Sequence, residues 1–538
     1  MRTFKIASVA GGLVLTAALV LTGCAAPDSG GDNGDAGDPT AVITVNGSEP
    51  QNPLIPTNTN EVGGGKILDS IFAGLVYYDA DGAPKNDVAE SIETTDSQNY
   101  TITLKADQKF SNGEAVTASS FVDAWNYGAL LSNEQLSSYF FESIEGFSYD
   151  ADSELSGLAV VDDTSFTVKL KQPESDFPLR LGYSAFFPLP ADALADPAAF
   201  GENPIGNGPY MLDGEGAWQH DVSLKVIPNP EYTGDRVPQN GGVDFVFYAT
   251  QDAAYADLQG GNLDVLDAVP DSAFASFEDE FGDRAINQPA AIFQSFTIPQ
   301  DAPHFAGDEG KLRRAAISMS IDRQQVTDVI FEGTRTPATD FTSPVIDGYS
   351  DSLKGADVLE FNPDEAKKLW AEADDISPWD GQFQISYNAD GGHQGWVEAV
   401  SNSIKNTLGI EASGNPYPTF AAIRTEITDR TIKTAFRTGW QADYPALYNF
   451  LGPIYATNAG SNDGDYSSAE FDGLLREGAG EPDTKAANEL FQQAQEILLK
   501  DLPATPLWYS NATGAYGQDV NGVQFGWNSV PIYHEITK

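Results

Sequence analysis

The side chains that offer the most chemistry surround Gly439, where a short predicted strand ends: Arg437, Trp440, Asp443 and Tyr444. Because glycine has no side chain, the backbone of an extended ligand could approach this strand edge and pair with it. A guanidinium, an indole, a carboxylate and a phenol beside such an edge suit a zwitterion with an extended backbone, which describes a short peptide. A strand end beside a surface turn fits the same spacing, because short motifs also occur by chance.

The beginning of the chain has the pattern of an export signal. Arg2 and Lys5 precede an apolar run from Ile6 to Leu21, and the sequence Leu-Thr-Gly-Cys24 follows. This tetrapeptide resembles the bacterial lipobox, whose cysteine receives a diacylglyceryl anchor. We therefore predict a lipoprotein signal peptide at residues 1–23 and attachment to the membrane by lipid at Cys24. A stray thiol is the alternative. Cys24 is the only cysteine, so no disulfide can form within the chain.

Composition limits the possible partners. Residues 24–39 are rich in glycine and aspartate and predict a flexible tether. The whole chain has 79 acidic and 29 basic residues, giving a net charge of −50. Such a charge argues against nucleic acid as a partner and against electrostatic docking to anionic lipid headgroups. With 538 residues, the chain should hold two or three domains.

From residue 40 onward, patterns typical of strands and of helices alternate along the chain. Helical spacing predicts a helix from Ile67 to Val76, with Ile71 and Leu75 on its buried face. Proline-rich stretches at residues 186–190 and 204–209 indicate a chain crossing between lobes. No repeat of fixed period is present. These features predict a mixed α/β protein of two or three lobes.

Five segments together resemble one family, the extracytoplasmic solute-binding proteins of ABC importers, in the oligopeptide and dipeptide class (family 5). In chain order the segments are FAGLV to AES (72–91), YTITLKADQKFSNGEAVT (100–117), PIGNGPY (204–210), LRRAAISMSIDR to FEG (312–333) and GWQADYP (439–445). They occur in the order of the family and span most of the chain after the tether.

The resemblance implies a periplasmic-binding-protein type II-like α/β fold, with two lobes joined by hinge crossovers and an extra domain inserted in the first lobe. Domain I would comprise residues 40–72, 204–296 and 513–538. Domain II would comprise residues 73–203, and domain III residues 297–512.

The resemblance also assigns roles to residues of the site. In oligopeptide-binding members, the aspartate of the GWxADY motif, here Asp443, pairs with the α-ammonium of the peptide. The arginine two positions before the glycine, here Arg437, faces the peptide carboxylate. Gly439 and Gln441 would hydrogen-bond the ligand backbone. The other ligand-binding residues that we predict are Trp440, Tyr444, His393, which would help to bind the peptide carboxylate, and Glu49, at the wall of the site in the first lobe.

Motifs of enzyme chemistry are missing from the sequence. Its four histidines include no HExxH pair, no phosphate-binding loop is present, and no GxSxG nucleophile elbow occurs. We therefore predict no enzyme activity, no metal and no cofactor.

The sequence predicts a monomeric, lipid-anchored receptor on the extracytoplasmic face of the bacterial cell membrane, which captures short peptides for an ABC permease. The alternatives are an oligosaccharide, nickel or haem as the solute, or a surface hydrolase or adhesive lipoprotein.

Overall fold

The computed structural model describes residues 38–538, and of residues 390 and 421 only the backbone is described. The predicted signal peptide, the lipidation at Cys24 and nearly all of the tether lie outside the described residues. Within the described range, none of the helices combines the length and apolar character that a bilayer crossing requires.

The described residues form eighteen strands and fourteen α-helices. The strands are β1 (Val42–Gly47), β2 (Val76–Tyr78), β3 (Pro84–Asn86), β4 (Ala89–Thr94), β5 (Asn99–Leu104), β6 (Leu158–Asp162), β7 (Ser165–Lys169), β8 (Tyr210–Leu212), β9 (Trp218–Gln219), β10 (Ser223–Pro228), β11 (Gly242–Phe247), β12 (Val265–Leu266), β13 (Ala285–Thr297), β14 (Arg335–Pro337), β15 (Phe383–Asn388), β16 (Ala412–Tyr417), β17 (Ala435–Gln441) and β18 (Ala504–Tyr516). The helices are α1 (Val62–Ile71), α2 (Ala118–Ala129), α3 (Phe177–Arg180), α4 (Pro197–Glu202), α5 (Gln251–Gln259), α6 (Phe277–Phe281), α7 (Gly307–Met319), α8 (Arg323–Ile330), α9 (Pro363–Ile376), α10 (Gln394–Leu408), α11 (Phe420–Thr428), α12 (Leu447–Tyr455), α13 (Ala469–Gly480) and α14 (Thr484–Asp501).

One sheet runs through both lobes, in the order β16-β15-β17-β13-β18-β12-β1-β11-β10-β8. The antiparallel pair β13 and β18, each 13 residues long, lies at its centre. Strands β8 to β12 and β1 lie on one side of this pair, and β15 to β17 lie on the other. The pair is therefore the crossover between the lobes. The domain boundaries predicted at residues 296/297 and 512/513 fall within β13 and β18, and their positions stay a prediction.

The inserted domain is built on a separate four-stranded antiparallel sheet, β4-β5-β7-β6. Helix α2 packs on this sheet through Trp125, whose ring contacts Phe121, Phe166 and Phe186 edge-on at 5.1–6.5 Å. The Trp125 indole N–H also donates to the Phe186 carbonyl at 3.0 Å. Residues 186–190, predicted to cross between lobes, therefore belong to the core of this domain.

The two connections to the inserted domain run side by side. Asn207 is buried, and its side chain accepts a hydrogen bond from the Ala73 N–H at 3.0 Å and donates to the Ala73 carbonyl at 2.9 Å. At Gly206 a side-chain Cβ would lie 1.8 Å from the Ile71 carbonyl oxygen, so only glycine allows this approach. The predicted crossing at residues 204–209 is thus the return from the inserted domain, held against the outgoing chain.

The boundaries predicted for the first helix were wrong. We expected Ile67 to Val76, but α1 begins at Val62, where Glu61 accepts from the Gly64 N–H as N-cap, and it ends at Ile71. Its end is fixed from a distance, because the Arg236 guanidinium donates to the Asp69 carbonyl at 2.8 Å and to the Phe72 carbonyl at 3.0 Å. Apolar spacing alone does not reveal such a partner.

We predict that Asn207→Ala lowers the free energy of unfolding by about 2–4 kcal/mol, because it leaves one buried N–H and one buried carbonyl unsatisfied. Urea denaturation of the variant measures this. Asn406→Ala, which removes an exposed amide on α10, is the matched control and should change the value by less than about 0.5 kcal/mol. Equal effects of the two substitutions would contradict the role of Asn207.

Candidate functional site

A cavity of about 280 Å³ lies where the lobes and the inserted domain meet. Its walls come from α1, from residues 182–187 of the inserted domain, from residues 441–443 after β17 and from residues 526–534 near the C-terminus. Asp69, Tyr78, Tyr183, Asp443 and Trp527 are among the residues that line it. Residues 74–79, residues 209–210 and Arg236 also contribute, so several distant parts of the chain enclose one small polar and aromatic space.

Strand β17 leads into this cavity with one edge unpaired. On one side β13 pairs with residues 436–441, but on the other side β15 pairs only with Ala435 and Phe436. Among the described residues, positions 437–441 therefore have a strand partner on one side only. An extended backbone could pair with the other side, as the sequence predicted.

Alternation along β17 separates the predicted residues into two groups. Arg437, Gly439 and Gln441 share one face, and Gln441 lines the cavity. Trp440 points to the opposite face, where its indole N–H donates to the Asn449 side-chain oxygen at 2.9 Å. At Gly439 a Cβ would lie 3.3 Å from the Phe293 carbonyl oxygen, so the neighbouring strand favours glycine as well.

Asp443 lies two residues after the end of β17 and lines the cavity. Its carboxylate accepts from the Asn449 side-chain amide at 3.1 Å, and its backbone N–H donates to the other end of that amide at 2.9 Å. No cation among the described residues pairs with it. Burial raises the pKa of Asp443 to about 7, although the Asn449 hydrogen bond acts in the opposite direction. Asp443 is therefore an anion-forming group that the surrounding protein leaves uncompensated.

Tyr444 closes one side of the site rather than lining it. Its buried ring lies 5.7 Å from the Arg180 guanidinium of the inserted domain, and Tyr448 lies 5.5 Å from the same group. Arg180 also pairs with Glu174 and Asp176, each at 2.8 Å. These contacts hold the inserted domain against the chain that follows β17.

Of the eight predicted residues, only Gln441 and Asp443 line the cavity. Besides Gly439, Trp440 and Tyr444, three more lie outside its wall. Arg437 stacks 5.9 Å from the Phe420 ring, burial lowers its pKa, and its Nε has no hydrogen-bond partner among the described residues. His393 accepts a hydrogen bond at Nδ1 from the Trp396 indole at 3.1 Å.

The third of these residues, Glu49, is engaged by a different part of the first lobe. Its carboxylate accepts from the Trp218 indole at 3.1 Å and from the Asp221 N–H at 2.9 Å, and His220 lies 2.7 Å away. Contact of Arg437, His393 and Glu49 with a ligand stays a prediction.

Sequence reasoning missed most of the wall, including Asp69, Tyr78, Tyr183 and Trp527. A single signal was available: Asp69 falls within the predicted apolar helix, between Leu68 and Ser70. No metal site adds to the cavity, since no group of three or more His, Cys, Asp or Glu side chains between residues 38 and 538 is arranged to hold an ion.

Comparison with known proteins assigns this chain to a family. Residues 83–462 match the model of the bacterial extracellular solute-binding proteins, family 5 Middle. The chain belongs to this family. The predicted family resemblance is confirmed.

Relatives and solved structures agree with this assignment. The oligopeptide-binding protein OppA of Bacillus subtilis is 25% identical over 538 residues, covering 95% of each chain. The murein tripeptide binding protein MppA of Escherichia coli has a TM-score of 0.79 at 20% identity, covering 93% of this chain and 99% of the other. OppA of Haemophilus influenzae, in complex with the peptide RPPGFSPFR, has a TM-score of 0.75 at 23% identity, covering 93% and 99%. The predicted type II-like fold is confirmed.

The pKa of Asp443 gives a prediction for stability. A folded-state pKa of about 7, above the ordinary value of about 3.9, means that the native state binds more protons than the unfolded state between about pH 4 and 7. Asp443 therefore lowers stability as pH rises through this window. We predict that Asp443→Asn raises the melting temperature of the empty protein at pH 8 by roughly 1–4 °C and leaves it unchanged at pH 4.

Thermal denaturation at both pH values checks this prediction. The titratable groups that face Asp443 are the phenols of Tyr78, Tyr139, Tyr183 and Tyr444, which stay neutral because their pKa values are raised. Asp69 lines the same cavity and is retained in both proteins, so its titration cancels in the comparison. A difference that is equal at pH 4 and pH 8 would contradict the assignment.

Proposed function

We propose that this protein is the substrate-binding receptor of an ABC importer, that it captures short peptides between its lobes, and that it delivers them to a membrane permease. Its relative OppA of Bacillus subtilis is an oligopeptide-binding protein. Membership of family 5 supports binding of a solute rather than catalysis.

The observation that carries the proposal is the position of Asp443 beside an unpaired strand edge. A peptide α-ammonium would neutralise the half-buried carboxylate, and the following backbone would pair with residues 437–441. Termini and backbone are common to all peptides, so such a site binds many sequences. Gln441 then serves at the entrance of the cavity, and Arg437 would meet a negative group further along the same face.

The lobes would close preferentially when a ligand is bound. A ligand shifts the open–closed equilibrium only through contacts that form better in the closed state. The α-ammonium contact with Asp443 is of this kind, because residues of α1 and of the inserted domain complete the cavity around it. The closed form with its peptide would then be presented to the permease.

We predict that Asp443→Asn weakens binding of the tripeptide Ala-Ala-Ala at least tenfold, because a charge-assisted hydrogen bond in a buried site contributes about 1.5–3 kcal/mol. Isothermal titration calorimetry with the full-length protein measures this. For the wild-type protein, N-acetyl-Ala-Ala-Ala should show the same loss, since acetylation removes the ammonium charge.

The matched control is Asp519→Asn, which removes an exposed carboxylate outside the cavity and should leave the affinity unchanged. An unchanged affinity of Asp443→Asn would remove Asp443 from the site. Binding of an oligosaccharide, nickel or haem with no binding of peptides would overturn the proposed function.

The proposal includes an N-terminal lipid anchor at Cys24 that holds the receptor at the extracytoplasmic face of the membrane. We predict that the wild-type protein incorporates labelled palmitate in growing bacteria and sediments with the membrane fraction. The Cys24→Ser variant should lose both properties, because its hydroxyl is not a thioether-forming nucleophile. Equal labelling of the two proteins would disprove the anchor.

A further inference from the structure

A second carboxylate without a partner lines the same cavity as Asp443. Asp69 lies in the last turn of α1, where the helix end already carries a partial negative charge that disfavours an anion. Burial raises the pKa of Asp69 to about 6, although the charge of Arg236 acts in the opposite direction. Its carboxylate has no hydrogen bond among the described residues. Because this position is unfavourable for an acidic side chain, we infer that Asp69 serves ligand binding and not the stability of the fold.

The basic side chains that line the cavity are already engaged by other acids. Arg236 pairs with Asp87 at 2.9 Å and caps the last carbonyls of α1. Lys66 pairs with Asp267 at 2.6 Å. His534 is neutral at pH 7, because burial lowers its pKa to about 4. Among residues 38–538, neither Asp69 nor Asp443 therefore has an ion-pair partner.

Two tyrosine hydroxyl groups in the cavity wall are each influenced by the charges of both carboxylates. Tyr78 and Tyr183 line the cavity, and Asp69 and Asp443 each add to the effect of burial in raising the pKa of both phenols. The Tyr78 hydroxyl donates to the Leu179 carbonyl, so it does not serve either carboxylate.

Aromatic rings line the space that both carboxylates face. Trp527 stands edge-on to Tyr78 with ring centroids 5.5 Å apart, and Phe187 also contributes to the wall. Rings of this kind pack against an apolar methylene stem and attract its cationic end. The walls therefore suit a chain of methylenes that leads to a positive charge.

We propose that Asp69 binds the basic side chain of the first residue of the peptide while Asp443 binds its α-ammonium, so that this receptor prefers peptides that begin with lysine or arginine. The inference rests on the proposed function, since it takes Asp443 as the site of the amino terminus. It adds a substrate class: two positive charges on one residue, joined by a short apolar stem.

Calorimetry with the full-length protein and two matched peptides tests this preference. Lys-Ala-Ala carries the second charge, whereas norleucine-Ala-Ala keeps a similar stem without it. We expect the wild-type protein to bind the lysine peptide at least tenfold more tightly. Ionic strength should be equal in both titrations, because the protein carries a net charge of −50 and attracts any cation weakly at long range.

Substitution of Asp69 distinguishes the effect of this carboxylate on peptide preference from the effect of the overall negative charge of the protein. Asp69→Asn should reduce the preference for lysine over norleucine from at least tenfold to less than twofold. Asp375→Asn, which removes an exposed carboxylate on α9, should leave the preference unchanged. The preference ratio is the informative quantity, since a merely structural defect would weaken binding of both peptides equally.

The outcomes distinguish this inference from the proposed function. Equal binding of the two peptides by the wild-type protein would overturn the inference, and it would do so even if Asp69→Asn failed to fold. A preference that survives in Asp69→Asn would also overturn it. In both cases, loss of peptide binding in Asp443→Asn would leave the proposed function standing. No binding of either peptide by the wild-type protein would overturn the proposed function and the inference together.

Discussion

Two carboxylates face one small cavity without cations of their own, and this constraint explains much of the arrangement around it. Transfer of an ionised group from water to a protein interior is costly unless a partner compensates it. Among the described residues, Asp69 and Asp443 have no ion-pair partner, and Arg236 and Asn449 offset their burial only in part. Arg236 and Lys66 are paired with other acids. An ionised pair of carboxylates is therefore electrostatically unfavourable in the empty cavity, and a cationic guest would remove the penalty. In the proposed function, this contact would favour the closed state over the open one.

The scaffold makes such closure possible because the lobes share a single sheet. Strands β13 and β18 pass through its centre, so bending of two strands moves one half of the sheet relative to the other. Contacts outside the cavity join the inserted domain to the rest of the protein. Arg180 stacks on Tyr444, and the Ser175 N–H donates to the Ala479 carbonyl at 2.6 Å. These contacts are favourable, whereas the two ionised carboxylates in the cavity are not.

Sequence patterns predicted the local structure well where the causes are local. The alternation in residues 100–105 and 165–170 corresponds to β5 and β7. The strand predicted before Gly439 is part of β17, although β17 continues through this glycine to Gln441 instead of ending there. The family motif also located Asp443, which lines the cavity.

Predictions were poorer where the cause lies far along the chain. The end of α1 depends on Arg236, and the surroundings of Glu49 depend on Trp218 and His220, more than 160 residues away. In the sequence Asp69 is an ordinary polar residue, and only the fold places it in the same cavity wall as Asp443. The cavity therefore depends on tertiary contacts, which the sequence does not show, whereas Asp443 could be located from a short motif.

The size of the cavity divides recognition into two parts. A volume of about 280 Å³ lies at the lower end of the range for small-molecule sites, roughly 300–1,000 Å³, so it suits the first residue of a peptide better than a whole one. The following residues would lie along the unpaired edge of β17, where backbone pairing does not read side chains. Charge and aromatic contacts are concentrated at the enclosed end. If the protein binds peptides as proposed, its selectivity for side chains should therefore fall steeply after the first residue of the peptide. It would select the first residue closely and accept many different residues at the following positions.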